Sequence, residues 1–168
     1  MSRIADLVGM VLERRVGFMA DEIMSGTHSF LGDAGPPGEH PMRFKVTWGS
    51  RRLERFLNPL GGDFLTSDLD GTVTVGGLVD EAPCRGRLDL LYFSEAKIRY
   101  SFTFSDASGR AYGYVGEKVD IRPWNLHRTH TTCYGTITRS DTGGVISRST
   151  LHFRLLLLPA FMLSFRLG

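Results

Sequence analysis

The clearest two-residue period in the chain runs from Ile98 to Ile121. Its first arm alternates Ile98, Tyr100, Phe102 and Phe104 with Arg99, Ser101 and Thr103. One apolar face and one polar face is the pattern of a half-buried strand. Ser105, Asp106, Ala107, Ser108 and Gly109 follow; Asp and Ser bond to nearby backbone and Gly accepts positive φ, so the chain turns here. The return arm divides into Tyr112, Tyr114, Gly116 and Lys118 on one side and Ala111, Gly113, Val115, Glu117 and Val119 on the other. An aromatic first arm paired with such a return arm makes a long hairpin that seeds a sheet.

The same pattern predicts strands over Met42–Trp48, Leu69–Leu78, Cys84–Phe93, Thr129–Arg139 and Val145–Leu158. Phe18–Leu31 also reads as a strand, with imperfect alternation. Between them, Gly32–Pro41 holds three Gly and three Pro and must be a loop. Two helices are expected. One spans residues 3–15, capped by Ser2, with Ile4, Leu7, Val8, Val11 and Leu12 at helical spacing. The other is short, from Ser50 to Leu57, and Asn58-Pro59 ends it. Ala160–Leu167 suits either a closing helix or a last strand.

About eight strands without alternating helices call for an antiparallel sheet, because parallel neighbours need crossover connections. Eight strands with one apolar face close most economically into a barrel, which removes exposed edges. The expected fold is therefore mainly β: an up-and-down, lipocalin- or calycin-like antiparallel β-barrel with one or two short helices. A helix-covered open sheet is the alternative. All 168 residues form one domain in this reading, with the 3–15 helix packed on the barrel. Small residues on the Ala111–Gly113–Val115 face are expected to leave room inside.

A net charge of +2 is too small for a nucleic-acid or membrane footprint. Leu155–Leu163 is too short to span a bilayer, which takes about 20 apolar residues. Cys84 and Cys133 fall on different strands and form no CxxC. Without the apolar core of a signal peptide, they read as free thiols of a cytoplasmic protein.

Candidate chemistry is sparse. Glu117 shares the Ala111–Gly113–Val115 face; turned inward, its carboxyl would be desolvated and able to act as an acid or base. Turned outward, it is a rim residue paired to Arg or Lys. Arg51, Arg52 and Arg55 crowd a helix start, where a carboxylate or phosphate could anchor, although a solvated basic face explains them as well. His127, His130 and Cys133 have zinc-binding side chains, but a spacing of three on a strand puts neighbours on opposite faces, so no metal is expected. Arg110–Glu117 and Val73–Leu78 approximate the two RNA-recognition signatures. They lack part of the aromatic set and the helix between them, and nucleic acid is not an expected partner. Nucleophile elbows, phosphate loops and dinucleotide-binding motifs are absent, and no cofactor is expected.

Several stretches in order resemble a bacterial accessory domain associated with cholesterol-oxidase-like glucose–methanol–choline oxidoreductases. They are Met24-Ser-Gly-Thr27, Pro41-Met-Arg-Phe44, Leu53-x-x-Phe-Leu57, Arg85-Gly-Arg-Leu88 and Ile98-Arg-Tyr-x-Phe-x-Phe104. Gly109-Arg-x-Tyr-x-Tyr-x-Gly-x-Lys118, Thr131-Thr132 and Ser164-Phe-Arg-Leu167 complete the series. The family supplies no catalytic residues to transfer, and this chain has no flavin-binding segment, so oxidase activity is not implied. What the resemblance implies is an accessory barrel in sterol or other lipid metabolism, with an oxidoreductase as a candidate partner.

The expected function is thus binding of an apolar, sterol- or lipid-like molecule in a barrel cavity. Tyr100, Phe102, His130 and Tyr134 are expected to contact it, Trp124 to sit at the mouth, and Arg51 and Arg52 to hold an acidic head. A cofactor-free isomerase or cyclase using Glu117 in the same cavity is the alternative. A domain whose apolar C-terminal run docks another protein is a third reading.

Overall fold

The structure, a computed structural model, describes residues 17–121, 132–153 and 166–167. In chain order the elements are β1 (Phe18–Phe30), β2 (Glu39–Ser50), helix α1 (Leu53–Leu57), β3 (Thr66–Val75), β4 (Val79–Leu91), β5 (Lys97–Ser105), β6 (Ala111–Lys118), β7 (Thr132–Arg139), β8 (Val145–Phe153) and β9 (Arg166–Leu167). Each of β1 to β7 pairs antiparallel with the next, and β8 returns to β1 with Met24 opposite Phe153 and Phe30 opposite Ser147. The result is a closed, eight-stranded, up-and-down antiparallel barrel. The two-residue β9 adds to β1, Phe18 facing Leu167 and Met19 facing Arg166, so the ambiguous C-terminal stretch contributes a strand at these two positions. No described helix is long and apolar enough to cross a membrane. The 3–15 helix, Trp124, His127 and His130 lie outside the described residues.

Alternation sets the wall. Met42, Phe44, Val46 and Trp48 of β2 and Ile98, Tyr100, Phe102 and Phe104 of β5 are buried, while their sequence neighbours face out. Phe44 touches the rings of Tyr100, Phe102 and Tyr114 at centroid distances of 5.4, 5.5 and 5.9 Å, and these four fill the middle of the barrel. Tight coiling needs glycine at Gly86, where a Cβ would overlap Ser101 O and Phe102 Cα of the adjoining strand.

The facing of β6 corrects one expectation. Phe102 pairs with Tyr114 and Phe104 with Tyr112, and residues opposite each other on paired strands share a face. Their rings stack at 4.7 and 5.5 Å. Tyr112, Tyr114, Gly116 and Lys118 therefore point inward, and Ala111, Val115 and Glu117 point out. The smallness of Ala111 and Gly113 leaves no room inside, because neither faces inside. Room for Tyr114 comes instead from Gly116 and Gly135, directly opposite each other on β6 and β7; a Cβ on either would overlap the Tyr114 ring.

The predicted helix from Ser50 is shortened to Leu53–Leu57 because Ser50 does not cap it. Its Oγ accepts the Arg52 N–H at 3.3 Å in a local turn, and Arg52 itself gives no side-chain cap. Phe56 on this helix is buried and packs edge-on against Phe18 at 4.9 Å.

Candidate functional site

The imperfect alternation of β1 has a cause. Its inward positions include Glu22 and His28, polar residues among Ala20 and Met24. His28 lies toward the end closed by the β1–β2, β3–β4, β5–β6 and β7–β8 turns. Its Nε2 donates to Gly76 O at 2.9 Å and its Nδ1 is 2.7 Å from Ser147 Oγ, tying β1 to β8 and to the β3–β4 turn. It belongs to the seal of that end.

Glu22 lies toward the opposite end, and around it the barrel assembles one compact polar cluster. Lys118 Nζ donates to Oε1 at 2.7 Å. Tyr100 OH lies 2.9 Å from Oε1 and 3.0 Å from Oε2, and Trp48 Nε1 donates to Oε2 at 3.2 Å. Four strands contribute one residue each: β1, β2, β5 and β6. Tyr100 has one hydroxyl hydrogen to share between the two oxygens, so three donors hold the Glu22 carboxylate. The Glu22 and Lys118 side chains are only 5% and 4% exposed, so this is an ion pair removed from water. The Lys118 ammonium also lies 5.1 Å from the centre of the Tyr100 ring and 5.9 Å from that of Phe153, within cation–π range. Burial, followed by the Glu22 charge, pushes the Tyr100 hydroxyl well above the usual tyrosine range, so it remains a donor.

The cluster is unsaturated on the donor side. Lys118 carries three N–H groups, and among the described residues only Glu22 accepts a hydrogen bond from them. Ser67, inward-facing on β3 toward the same end, adds a buried hydroxyl; its Oγ is the one buried side-chain polar atom among the described residues with no hydrogen-bond partner.

Of the residues expected to form a site, Tyr100 and Phe102 are inside the barrel, Tyr100 in the cluster and Phe102 in the aromatic layer beneath it. Tyr134 is 56% exposed on the outer face of β7, because its β6 partner is the outward-facing Glu117. Glu117 is not an interior acid or base. Its Oε1 accepts from Arg99 Nε at 2.8 Å and from Lys97 Nζ at 3.2 Å on the outer wall. Burial works to raise its pKa, but these two cations outweigh it and hold the carboxyl below the ordinary range.

Arg51 and Arg52 line an outer groove of about 1150 Å³ with Arg85, Glu54, Asp68 and Asp70. Three cations face three carboxylates there, and α1 has a single turn and a weak dipole, so the groove offers no net attraction for an acidic head. Cys133 is fully buried in the core, and no group of metal-ligating side chains forms among the described residues. Burial pushes both the Cys133 and Cys84 thiols up to about 12, which makes them inert.

The sequence reading missed Glu22 and Lys118, for which parity was the signal on offer. Glu22 falls two residues from Ala20 and from Met24, and Lys118 falls on the Tyr112–Tyr114 side of its arm. Their proximity was not legible, since nothing local links positions on β1 and β6. Comparisons of the chain with protein-family models, with curated proteins and with solved structures give no match.

Proposed function

We propose that the protein binds an apolar small molecule, sterol- or lipid-like, inside the barrel at the end that holds Glu22 and Lys118. The ligand's apolar body meets the Phe18, Ile98 and Phe153 side of the interior, and its polar head is taken by Lys118. One observation carries this reading: a buried ammonium in an apolar barrel with two N–H groups that no described residue accepts. A buried ion pair is a poor source of stability, since apolar side chains of similar volume do as well or better. A ligand that completes the hydrogen bonding gives the pair a use. The resemblance to an accessory domain of sterol-oxidising enzymes supports the ligand class and makes an oxidoreductase the candidate partner.

Binding is favoured over turnover. The isomerase or cyclase reading relied on Glu117, which faces solvent, and the interior carboxylate, Glu22, is paired to Lys118 and held by Tyr100 and Trp48. Mass spectrometry of lipids extracted from the purified protein tests the proposal. The expected result is a stoichiometric apolar molecule, lost when Lys118→Met is combined with Glu22→Leu. No extracted molecule, together with no saturable response to a broad panel of neutral and acidic lipids, would overturn it.

A further inference from the structure

Resting on this binding reading, we infer that Ser67 is a second ligand contact of the site, its hydroxyl hydrogen-bonding an oxygen of the bound molecule. Ser67 is 3% exposed at an inward position of β3, two residues from the buried Leu69 and opposite the buried Leu88 of β4. Leu88 is in turn opposite Tyr100 of β5, whose hydroxyl holds Glu22. One cross-strand row thus runs Ser67, Leu88, Tyr100. The backbones of its two ends are two strand spacings apart, about 10 Å along the wall. Ser67 therefore stands at the level of the polar cluster, at the same end of the barrel.

Its hydroxyl has no use in the fold. Among the described residues its Oγ alone is a buried side-chain polar atom with no hydrogen-bond partner. Burying a hydroxyl unpaired costs free energy that an alanine at the same position avoids. The other buried serines differ. Ser147 Oγ donates to Ser29 O at 2.9 Å and lies 2.7 Å from His28 Nδ1, and Ser149 Oγ is 3.4 Å from Tyr114 OH. Those hydroxyls join strands to each other, whereas that of Ser67 is left for a ligand. A hydroxyl both donates and accepts, so Ser67 takes an alcohol, a carbonyl or a carboxyl oxygen alike and gains nothing from a hydrocarbon. The class selected is an oxygenated apolar molecule, recognised at Ser67 as well as at Lys118. A site with a buried polar group to satisfy rejects the analogue that lacks the partner.

A group kept for a ligand destabilises the empty protein and stabilises the complex, so one substitution moves the two in opposite directions. Ser67→Ala in the full chain tests this with two readouts. The melting temperature of the lipid-extracted protein should rise by about 2–4 °C as the unpaired hydroxyl is removed. Displacement of cis-parinaric acid, followed by its fluorescence, gives affinities for 1-nonanol, 2-nonanone, nonanoate and nonane. The tightest of the three oxygenated probes should bind Ser67→Ala roughly three- to tenfold more weakly, the loss of one neutral hydrogen bond, with nonane unchanged. Ser147→Ala should do the reverse, lowering the melting temperature and leaving the affinities alone. Unchanged affinities in Ser67→Ala, an equal loss for nonane, or a lowered melting temperature would each overturn the role of Ser67 while leaving interior binding intact. No saturable emission change of cis-parinaric acid, with no shift in melting temperature from any of the four probes, would overturn the binding reading itself and the inference with it.

Discussion

Lys118 Nζ lies 2.7 Å from Glu22 Oε1, although the two residues are 96 positions apart in sequence. The pair joins β1 to β6 across the barrel interior. It comes together only when the barrel is closed, because neither strand is hydrogen-bonded to the other.

Removing one member should therefore cost far more than removing both. Lys118→Met is expected to destabilise by about 3–5 kcal/mol, the usual result of stranding one buried charge. Combined with Glu22→Leu, it should recover at least about 2 kcal/mol of that loss in a double-mutant cycle. Full recovery is not expected, since Tyr100 OH and Trp48 N–H then lose their acceptor at a cost of roughly 1–3 kcal/mol. Urea midpoints for the three variants decide it, and strictly additive losses would contradict the coupling.

Phe102 is 3% exposed and packs on Phe44, Phe104 and Tyr114. Phe102→Ala should destabilise by about 3–5 kcal/mol, as emptying a buried Phe site usually does. A loss under about 0.5 kcal/mol, the ordinary range of surface substitutions, would mean that the faces of β5 are the other way round.

Two glycines on β6 test the corrected facing directly. A Cβ at Gly116 overlaps the Tyr114 ring, whereas one at Gly113 meets only Thr138 Oγ1 at 3.3 Å. Gly116→Ala is expected to cost about 1–3 kcal/mol through overpacking, while Gly113→Ala stays within roughly 0.5 kcal/mol of the parent. The reverse order in thermal melts would put the small-residue face of β6 inside after all.

His28 makes stability depend on pH at the turn-closed end. Burial lowers its pKa, the Gly76 carbonyl bond works in the other direction, and the nearby His40 lowers it further. A folded-state pKa below the unfolded value of about 6.5 means that the folded protein takes up the proton less readily. Its contribution is whole above that unfolded value and is lost as the pH falls toward the folded one. Urea midpoints at pH 7.5 and 5.5 should fall further in the parent than in His28→Gln. An equal fall in both would remove His28 as the cause.

Much of this molecule was readable from alternation. The hairpin around Ser105–Gly109, the β2 strand with its four buried side chains and the barrel class all follow from a period of two, because a strand's side chains are sorted by the pleat itself. That period divides residues into two sets without saying which set is inside. On β6 both sets looked credible, one aromatic and one small. The choice fell to cross-strand register: Phe102 opposite Tyr114 and Phe104 opposite Tyr112 force the aromatics of both arms to one side. With that choice Glu117 went out to Arg99 and Lys97, and Lys118 went in. On β1, Glu22 and His28 blurred the pattern because each is a polar residue at an inward position. Buried polar groups break a hydrophobic period, and their partners are supplied by strands distant in sequence. Tyr100, Trp48 and Lys118 meet at Glu22 through the curvature that closes eight strands on themselves. Periodicity along a single strand carries no information about that closure, so only the tertiary structure could bring the cluster together.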